Sequence, residues 1–115
     1  MAAESCLFCG IISGAIPAER LHEDKDCVVI SDIAPKAPVH LLVLPREHFR
    51  SSAEMNAARE PLVGHLVHVA SQLARARGLD EQGYRLVFNH GSHAGQTVKH
   101  LHLHLLGGRN LRGMC

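Results

Sequence analysis

Three histidines near the C-terminus alternate with leucines in the run His100-Leu101-His102-Leu103-His104-Leu105-Leu106. Successive side chains of a β-strand point to opposite faces, so this spacing predicts a strand with three imidazoles on one face. We expect the leucine face to join the core. The imidazole face should border a cleft or solvent, because an apolar interior could not satisfy three imidazoles. Two kinds of chemistry fit: the imidazoles bind zinc, or one neutral imidazole attacks phosphorus while its neighbours orient it and move protons.

A polar, glycine-containing segment lies two residues upstream of these histidines and reads Asn89-His90-Gly91-Ser92-His93-Ala94-Gly95-Gln96-Thr97. Small residues allow the backbone to approach an anion closely, and consecutive N–H groups can form an anion-binding concavity. Taken alone, the segment is as typical of an ordinary surface turn as of a phosphate site. Its position directly before the histidine run favours phosphorus chemistry over a bare metal site.

Cys6 and Cys9 form a C-x₂-C pair near the N-terminus. Such a pair is a common half of a tetrahedral zinc site, although two reduced thiols also fit the spacing. The chain has four cysteines, which are too few to indicate a disulfide scaffold.

The whole chain has the size and composition of one domain covering residues 1–115, with 46% hydrophobic residues to build one core. Twelve Lys and Arg against eleven Asp and Glu leave almost no net charge, which argues against duplex nucleic acid as the main partner. A single nucleotide remains compatible with that balance. We find no signal peptide or membrane-spanning stretch, so we expect no membrane partner and a cytoplasmic location.

The hydrophobic pattern predicts five short strands and one principal helix, with connections short enough for antiparallel pairing, and therefore an α+β domain. The expected helices are a short one at Phe8–Ser13 and a long one that begins at Pro61 and ends before Gly78. On the long helix, His65 and His68 fall opposite the apolar face, so we expect them in solvent. The predicted strands cover Glu19–His22, Cys27–Ser31, His40–Leu44, Tyr84–Phe88 and Leu101–Leu106.

The histidine run resembles the signature of the histidine-triad family, His-φ-His-φ-His-φ-φ with φ apolar. Other features of that family appear in order along nearly the whole chain: Phe8 with Ile11-Ile12 and Ile16-Pro17-Ala18, Asp32-Ile33-Ala34-Pro35 with Ala37-Pro38 and His40, Leu44-Pro45-Arg46-Glu47-His48, Asn89, Gly95-Gln96-Thr97, and Gly107-Gly108-Arg109. The chain is similar to the nucleotide-binding branch of the family, the purine nucleoside phosphoramidases.

The resemblance implies a hydrolase that cleaves the P–N bond of purine nucleoside 5′-phosphoramidates, in which AMP or a related nucleotide is joined to an amine. His102 would attack the α-phosphorus, expel the amine and form a nucleotidyl-histidine that water then hydrolyses. His104 and His40 would contact the phosphoryl oxygens or assist proton transfer. The backbone carbonyl of His100 would receive the N–H of the nucleophile's other nitrogen. Catalysis would require no cofactor.

The resemblance also implies the nucleotide site. Asp32 would hold the ribose hydroxyls, while Phe8 and Ile33 would sandwich the purine base. Without the resemblance, Phe8 and Ile33 would be interpreted as core residues. The residues expected to hold the phosphate and leaving group lie in the glycine-containing segment: Asn89, Gly95, Gln96 and Thr97.

The resemblance further implies a five-stranded antiparallel sheet packed with helices, a partner and a metal. Members of the family pair as homodimers, in which two five-stranded sheets join into one of ten strands. Many bacterial-type members complete a zinc site with the histidine after the Pro-Arg-Glu segment and the first triad histidine. In this chain the four ligands of such a structural zinc site would be Cys6, Cys9, His48 and His100.

Three positions depart from the family pattern. Thr97 stands where many members have Ser, Lys99 places a cation directly before the triad, and the tail 109–115 lacks the aromatic ending of well-known phosphoramidases. Two other functions therefore stay open. The chain could cleave dinucleoside polyphosphates, or it could be a nucleotide-binding scaffold protein whose hydrolysis is vestigial.

Overall fold

The computed structural model describes residues 6–113, and the last two residues of the predicted tail lie outside them. The first element, α1, covers Leu7–Ser13 and ends at Gly14, whose φ of 89° is left-handed. Glycine adopts that conformation without the steric cost that a Cβ would impose. This confirms the short N-terminal helix and its stop.

The five strands are β1 (His22–Glu23), β2 (Cys27–Ser31), β3 (Val39–Pro45), β4 (Tyr84–Phe88) and β5 (Leu103–Gly107). They form one sheet in the order β1-β2-β3-β5-β4, and every pair is antiparallel. The predicted fold class, an α+β domain built on a five-stranded antiparallel sheet, is therefore confirmed. Three short 3₁₀ turns complete the described elements, at Ser52–Glu54, Ala57–Arg59 and Ser92–Ala94.

The first strand was predicted too early, at Glu19–His22. The strand itself begins at His22, which lies opposite Val29 of β2, although the N–H of Leu21 already donates to the carbonyl of Val29 at 2.8 Å. The preceding Arg20 is instead committed to α1, since its guanidinium donates to the carbonyls of Ile11 and Ile12 at 3.0 Å each. A side chain that donates to the last carbonyls of a helix holds its own segment beside that helix.

The last strand begins two residues later than predicted, at Leu103. The N–H of Leu101 donates to the carbonyl of Phe49 at 2.7 Å and is unavailable to the sheet. His100 and His102 therefore precede β5, and the prediction that all three imidazoles share one face of one strand was wrong. The leucine half of the prediction is confirmed, because Leu101, Leu103 and Leu105 are all buried.

The long helix, α2, covers Glu60–Ala76, with Pro61 in its first turn and left-handed Gly78 just beyond its end. It packs on one face of the sheet, whereas α1 packs on the other. β2 and β3 are covered on both faces and are buried almost throughout, as strands with two covered faces generally are. The larger core cluster, on the α2 side, includes Val29, Leu41, Val43, Leu66, Val69, Leu103 and Leu105. The smaller one, on the α1 side, is formed by Phe8, Ile11, Val28, Ile30, Leu42 and Leu44.

Asp24 ties the turn between β1 and β2 to α2. Its Oδ2 lies 2.8 Å from the Nε2 atoms of both His22 and His65, and its Oδ1 accepts the backbone N–H groups of Asp26 and Cys27. The expectation that His65 lies in solvent was wrong, because the imidazole is half-buried on this carboxylate. Partial burial opposes ionisation, but these four hydrogen bonds outweigh it and lower the pKa of Asp24 below its usual range.

Replacing Asp24 by asparagine is expected to lower the free energy of unfolding by about 1–3 kcal/mol at pH 7, because an amide nitrogen would face donors that now meet an oxygen. The pKa of Asp24 is lower in the folded chain than its unfolded value of about 3.9. The ionised Asp24 carboxylate therefore makes its full contribution to the free energy of unfolding above that pH, and this contribution is lost as the pH falls below it. Urea titrations at pH 7 and pH 3.5 measure both effects. Asp80→Asn, at an exposed carboxylate 3.9 Å from Arg75, serves as the control. If Asp24→Asn lost the same free energy of unfolding at pH 7 and at pH 3.5, the prediction would be contradicted.

No helix in the described part of the chain combines the length and apolar character needed to cross a bilayer. The cytoplasmic location inferred from the sequence stays a prediction.

Candidate active site

Among residues 6–113, His102 has one ring nitrogen hydrogen-bonded and the other without a partner. Its Nδ1 lies 2.8 Å from the backbone carbonyl of His100. A carbonyl oxygen can only accept, so Nδ1 carries the proton and Nε2 carries the lone pair of the neutral ring. The ring is held from the side by Phe8, whose centroid is 4.9 Å away in an edge arrangement. The backbone of the chain thus fixes the tautomer that a nucleophilic imidazole requires.

His40 and His104 form a second pair with a defined direction of donation. The N–H of Lys36 donates to Nδ1 of His40 at 3.0 Å, which places the proton of the neutral ring on Nε2. That Nε2 lies 2.9 Å from Nδ1 of His104, so His104 accepts there and carries its own proton on Nε2. His104 therefore presents an N–H, and its ring centroid is 4.8 Å from that of His102.

The strand register explains why these two imidazoles meet. Leu42 of β3 pairs with His104 of β5, and His40 pairs with Leu106. Directly paired residues share a face, and so do residues two apart on one strand, which places His40 and His104 on the α1 face as diagonal neighbours. The sequence showed that His40 begins an apolar strand, but only the register shows that it touches His104.

Burial keeps the three imidazoles neutral at pH 7. It lowers the pKa of His102 and His40, and with the neighbouring histidines it lowers the pKa of His104 to about 4. Asp32 opposes the shift at each of them; its Oδ2 lies 3.4 Å from Nε2 of His40. The site therefore offers one free lone pair, on His102, beside one free N–H, on His104.

Asp32 and Ile33 form the turn after β2. One carboxylate oxygen of Asp32 accepts the N–H of Ala34 at 2.8 Å, which shapes the turn. Ile33 is 99% exposed, whereas Phe8 is buried within the smaller core cluster and against His102. A fully exposed isoleucine beside a carboxylate is free to contact a ligand, and the core interpretation that sequence alone favoured for Ile33 was wrong.

The glycine-containing segment is shaped by two left-handed glycines, Gly91 with φ 81° and Gly95 with φ 82°. Gln96 fastens it: its Oε1 accepts the N–H of Gly91, and its Nε2 donates to the carbonyls of Arg50 and Val98. The side chain of Gln96 is thus committed to backbone groups and positions the loop. Thr97 is exposed and Asn89 half-buried, and both remain available to a ligand.

The loop adjoins the cleft through Val98, which packs against the core cluster that contains Phe8. Within residues 6–113, no hydrogen bond joins the loop directly to the side chains of His40, His102 or His104. The structure therefore joins Phe8, His102, His104, His40 and Asp32 by a chain of contacts. Asn89, Gly95, Gln96 and Thr97 lie on a separately braced loop.

Cys6, Cys9, His48 and His100 converge on one point. Each offers a ligand atom within 4.8 Å of the other three. The Nδ1 atoms of His48 and His100 are 3.0 Å apart, and sulfur-to-nitrogen distances run from 3.3 to 3.5 Å. A tetrahedral zinc ion would separate two nitrogens by about 3.3 Å and a sulfur from a nitrogen by about 3.6 Å. The cluster already has nearly the spacing that the metal requires.

The tautomer of His100 also fits a metal ligand. Its Nε2 lies 2.9 Å from the carbonyl of Pro45, so this nitrogen donates and Nδ1 points its lone pair at the two sulfurs and His48. Metal-bound histidines are generally oriented by such a donation from the other ring nitrogen. His100 is completely buried, which corrects the expectation that its imidazole borders solvent.

Asp32, His40 and His104 also lie within 4.8 Å of one another through potential ligand atoms. Here the tautomers conflict with a metal. The lone pair of His40 is on Nδ1, where it accepts the N–H of Lys36, so the Nε2 that faces the other two residues carries a proton. This cluster is suited to hydrogen bonding with a ligand.

The chain is similar to known proteins over nearly its whole length. A family model described as scavenger mRNA decapping enzyme C-term binding matches residues 5–113. An uncharacterized HIT-like protein of Synechococcus elongatus is 46% identical over 109 residues, which cover 95% of each chain. The purine nucleoside phosphoramidase of Escherichia coli strain K12 is 38% identical over 112 residues, covering 97% of this chain and 94% of that protein. The crystal structure of a HIT family hydrolase from Legionella pneumophila gives a TM-score of 0.92 at 47% identity, covering 94% of this chain and 96% of that chain.

Proposed function

The chain belongs to the histidine-triad family of hydrolases, and from that premise we propose that it hydrolyses the P–N bond of purine nucleoside 5′-phosphoramidates. The observation that carries the proposal is the bond from His102 Nδ1 to the carbonyl of His100, because it leaves Nε2 free as a nucleophile. The phosphoramidase named among the relatives supports the choice of substrate.

In the first step, Nε2 of His102 attacks the α-phosphorus and forms an N–P bond as the bond to the amine breaks. The leaving nitrogen takes a proton from solvent, and His102 becomes a nucleotidyl-imidazolium whose Nδ1–H still donates to the His100 carbonyl. The N–H on Nε2 of His104 faces this centre and donates to a phosphoryl oxygen, where negative charge increases in the transition state.

In the second step, water attacks the same phosphorus and the N–P bond breaks. The electron pair returns to Nε2 of His102, one proton of the water goes to solvent, and the nucleoside monophosphate leaves. His40 takes no proton in this scheme. It donates through Nε2 to His104 and thereby keeps the proton of His104 on the nitrogen that faces the phosphate.

The nucleotide would lie across the α1 face of the sheet. Asp32 retains unused carboxylate lone pairs for the ribose hydroxyls, and exposed Ile33 would cover the base together with Phe8. Asn89, Thr97 and the backbone of the loop at Gly95 would hold the phosphate, with Gln96 bracing that loop from behind.

We also propose that Cys6, Cys9, His48 and His100 hold one zinc ion. Two thiolates and two imidazoles fill a tetrahedral shell, so the metal would be structural and would tie the start of α1 to the residues preceding β5. The proposed hydrolysis involves no step at the metal.

A homodimer joined through β4 fits the sheet. β4 is an edge strand that pairs only with β5 among the described strands, and an unpaired edge of this kind is a template for pairing with another copy. Two copies related by a two-fold axis would form a continuous ten-stranded sheet. Sedimentation velocity measures whether the protein has twice the mass of one chain.

Hydrolysis rates measured on two nucleotide substrates under the same conditions test the proposed function. We expect adenosine 5′-phosphoramidate to be hydrolysed to AMP with a kcat/KM at least tenfold above that for a diadenosine polyphosphate. The reverse order would favour dinucleoside polyphosphate cleavage. Negligible turnover of both, with firm AMP binding, would favour a nucleotide-binding scaffold protein.

A further inference from the structure

The motif Gly107-Gly108-Arg109, directly after the histidine run, has no part in the proposed reaction. Gly107 is the last residue of β5 and pairs with Val39. Gly108 continues beyond the sheet with a left-handed φ of 100°, and a Cβ at this position would lie 2.9 Å from the Cβ of Pro38. Glycine allows the chain to pass Pro38 this closely in this conformation, whereas a side chain would not. The motif therefore keeps the end of β5 against the segment that precedes β3.

Arg109 contacts the turn that connects β2 to β3. Its Nη2 donates to the carbonyl of Lys36 at 2.9 Å, and its Nη1 donates to the carbonyl of Asn110 at 2.8 Å. The second bond holds the guanidinium beside its own segment of the chain. Hydrogen bonds from a charged donor are stronger than those between neutral groups. Arg109 therefore ties the end of β5 to Lys36, which lies 73 positions earlier in the chain.

Lys36 is also bonded to the candidate active site. Its N–H donates to Nδ1 of His40 at 3.0 Å, and Nε2 of His40 lies 2.9 Å from Nδ1 of His104. The bond from Arg109 fixes the carbonyl of Lys36, and the bond to His40 uses the N–H of the same residue. Three hydrogen bonds thus connect Arg109 to His104. A displacement of Lys36 would move the N–H that sets the tautomer of His40.

We propose, on the basis of the proposed function, that Arg109 is a positioning residue for the reaction. It holds Lys36 so that the N–H of Lys36 stays on Nδ1 of His40. His40 then donates through Nε2, and His104 presents its own N–H to the phosphoryl oxygen. Because that N–H stabilises charge in the transition state, loosening it lowers kcat. Asp32 is fastened separately, since its N–H donates to the carbonyl of His40 at 2.9 Å, so nucleotide binding should not depend on Arg109.

The test compares Arg109→Ala with Arg77→Ala. Both arginines are exposed and line one cavity of about 660 Å³, so the two variants remove the same charge from the same region. Within residues 6–113, only Arg109 of this pair bonds to Lys36. In Arg109→Ala we expect kcat for adenosine 5′-phosphoramidate to fall about three- to tenfold, as for the loss of one exposed hydrogen bond. KM and the Kd for AMP should change by less than about twofold, and Arg77→Ala should change none of these quantities.

NMR of protein labelled with ¹⁵N in its histidines reports on the bond itself and needs no substrate. In the wild type the resonance of His40 Nδ1 should be that of an unprotonated nitrogen that accepts a hydrogen bond. In Arg109→Ala it should move toward that of an unprotonated nitrogen without a hydrogen bond, because the N–H of Lys36 is no longer held against it. In Arg77→Ala it should not move.

An unmoved His40 resonance in Arg109→Ala, or an unchanged kcat, would overturn the inference. A rise in KM and in the Kd for AMP at constant kcat would also overturn it, since Arg109 would then be a residue that binds the nucleotide. If the wild-type protein hydrolyses no phosphoramidate, the proposed function fails. The resonance of His40 in the two variants then decides by itself whether Arg109 positions this imidazole.

Discussion

Replacing His102 by alanine is expected to lower kcat by about 10⁴-fold or more while AMP binding changes little. Loss of a nucleophile in a covalent mechanism removes the whole reaction path and not one contact among many. The groups proposed to bind the nucleotide, at Asp32, Ile33 and the loop, do not depend on the imidazole of His102. The expected split, a lost kcat with a retained Kd for AMP, separates a nucleophile from a residue that merely shapes the cleft.

His68→Ala provides the matched control, because this histidine is exposed on α2 and should leave both quantities unchanged. Mass spectrometry of enzyme quenched within milliseconds should find one nucleotidyl group on His102 of the wild type and none on the variant. An alanine variant that retains turnover, or an adduct on His104 instead, would contradict the assignment of the nucleophile.

The sequence predicted the parts of the fold that depend on local periodicity. The spacing of leucines from Leu101 to Leu105 indicated a buried face, and that face packs under α2. The ends of α1 and α2 followed from Gly14 and Gly78, whose left-handed conformations are local properties of the backbone. β4 begins and ends at the predicted residues.

The errors occurred where a residue hydrogen-bonds to another element of the fold and not to its neighbours in the predicted pattern. Leu101 donates to Phe49, Arg20 donates to the end of α1, and His65 meets Asp24 from 41 positions away. None of these partners is signalled by a periodic pattern, so each shifted a strand boundary or an exposure from its predicted place.

In the candidate site, too, the sequence predicted some features and missed others. Residue types and family spacing located the histidines, but the protonation of each ring depends on backbone groups that any residue supplies. The carbonyl of Pro45 sets the tautomer of His100, and the N–H of Lys36 sets that of His40. Gln96 was expected at the phosphate, yet its amide is committed to the loop.

Replacing Cys9 by serine is expected to abolish stoichiometric zinc binding and to lower the melting temperature by on the order of 10 °C. A bound ion stabilises the folded chain by about 4 kcal/mol when its concentration exceeds the dissociation constant a thousandfold. For a domain of this size each kcal/mol is worth a few degrees. Metal analysis of protein purified without chelator should give one zinc per wild-type chain, and treatment with a strong chelator should reproduce the melting temperature of the variant.

Cys27→Ala separates loss of metal from loss of packing. Cys27 is completely buried in the larger core cluster, away from the four proposed ligands, so this variant should be less stable yet keep its zinc. Wild-type protein that contains no zinc and gains no stability when zinc is added would contradict the site.

The same Cys9 variant also tests how far the metal supports the nucleophile. His100 joins the two sites, since its Nδ1 faces the sulfurs while its backbone carbonyl holds Nδ1–H of His102. The imidazole of His100 keeps its bond to Pro45 without the metal, so the carbonyl should stay near its place in chains that remain folded. We therefore expect kcat, measured well below the melting temperature, to fall by less than about tenfold, far less than in His102→Ala. A loss of activity as large as that of the nucleophile variant would instead assign the metal a part in the reaction.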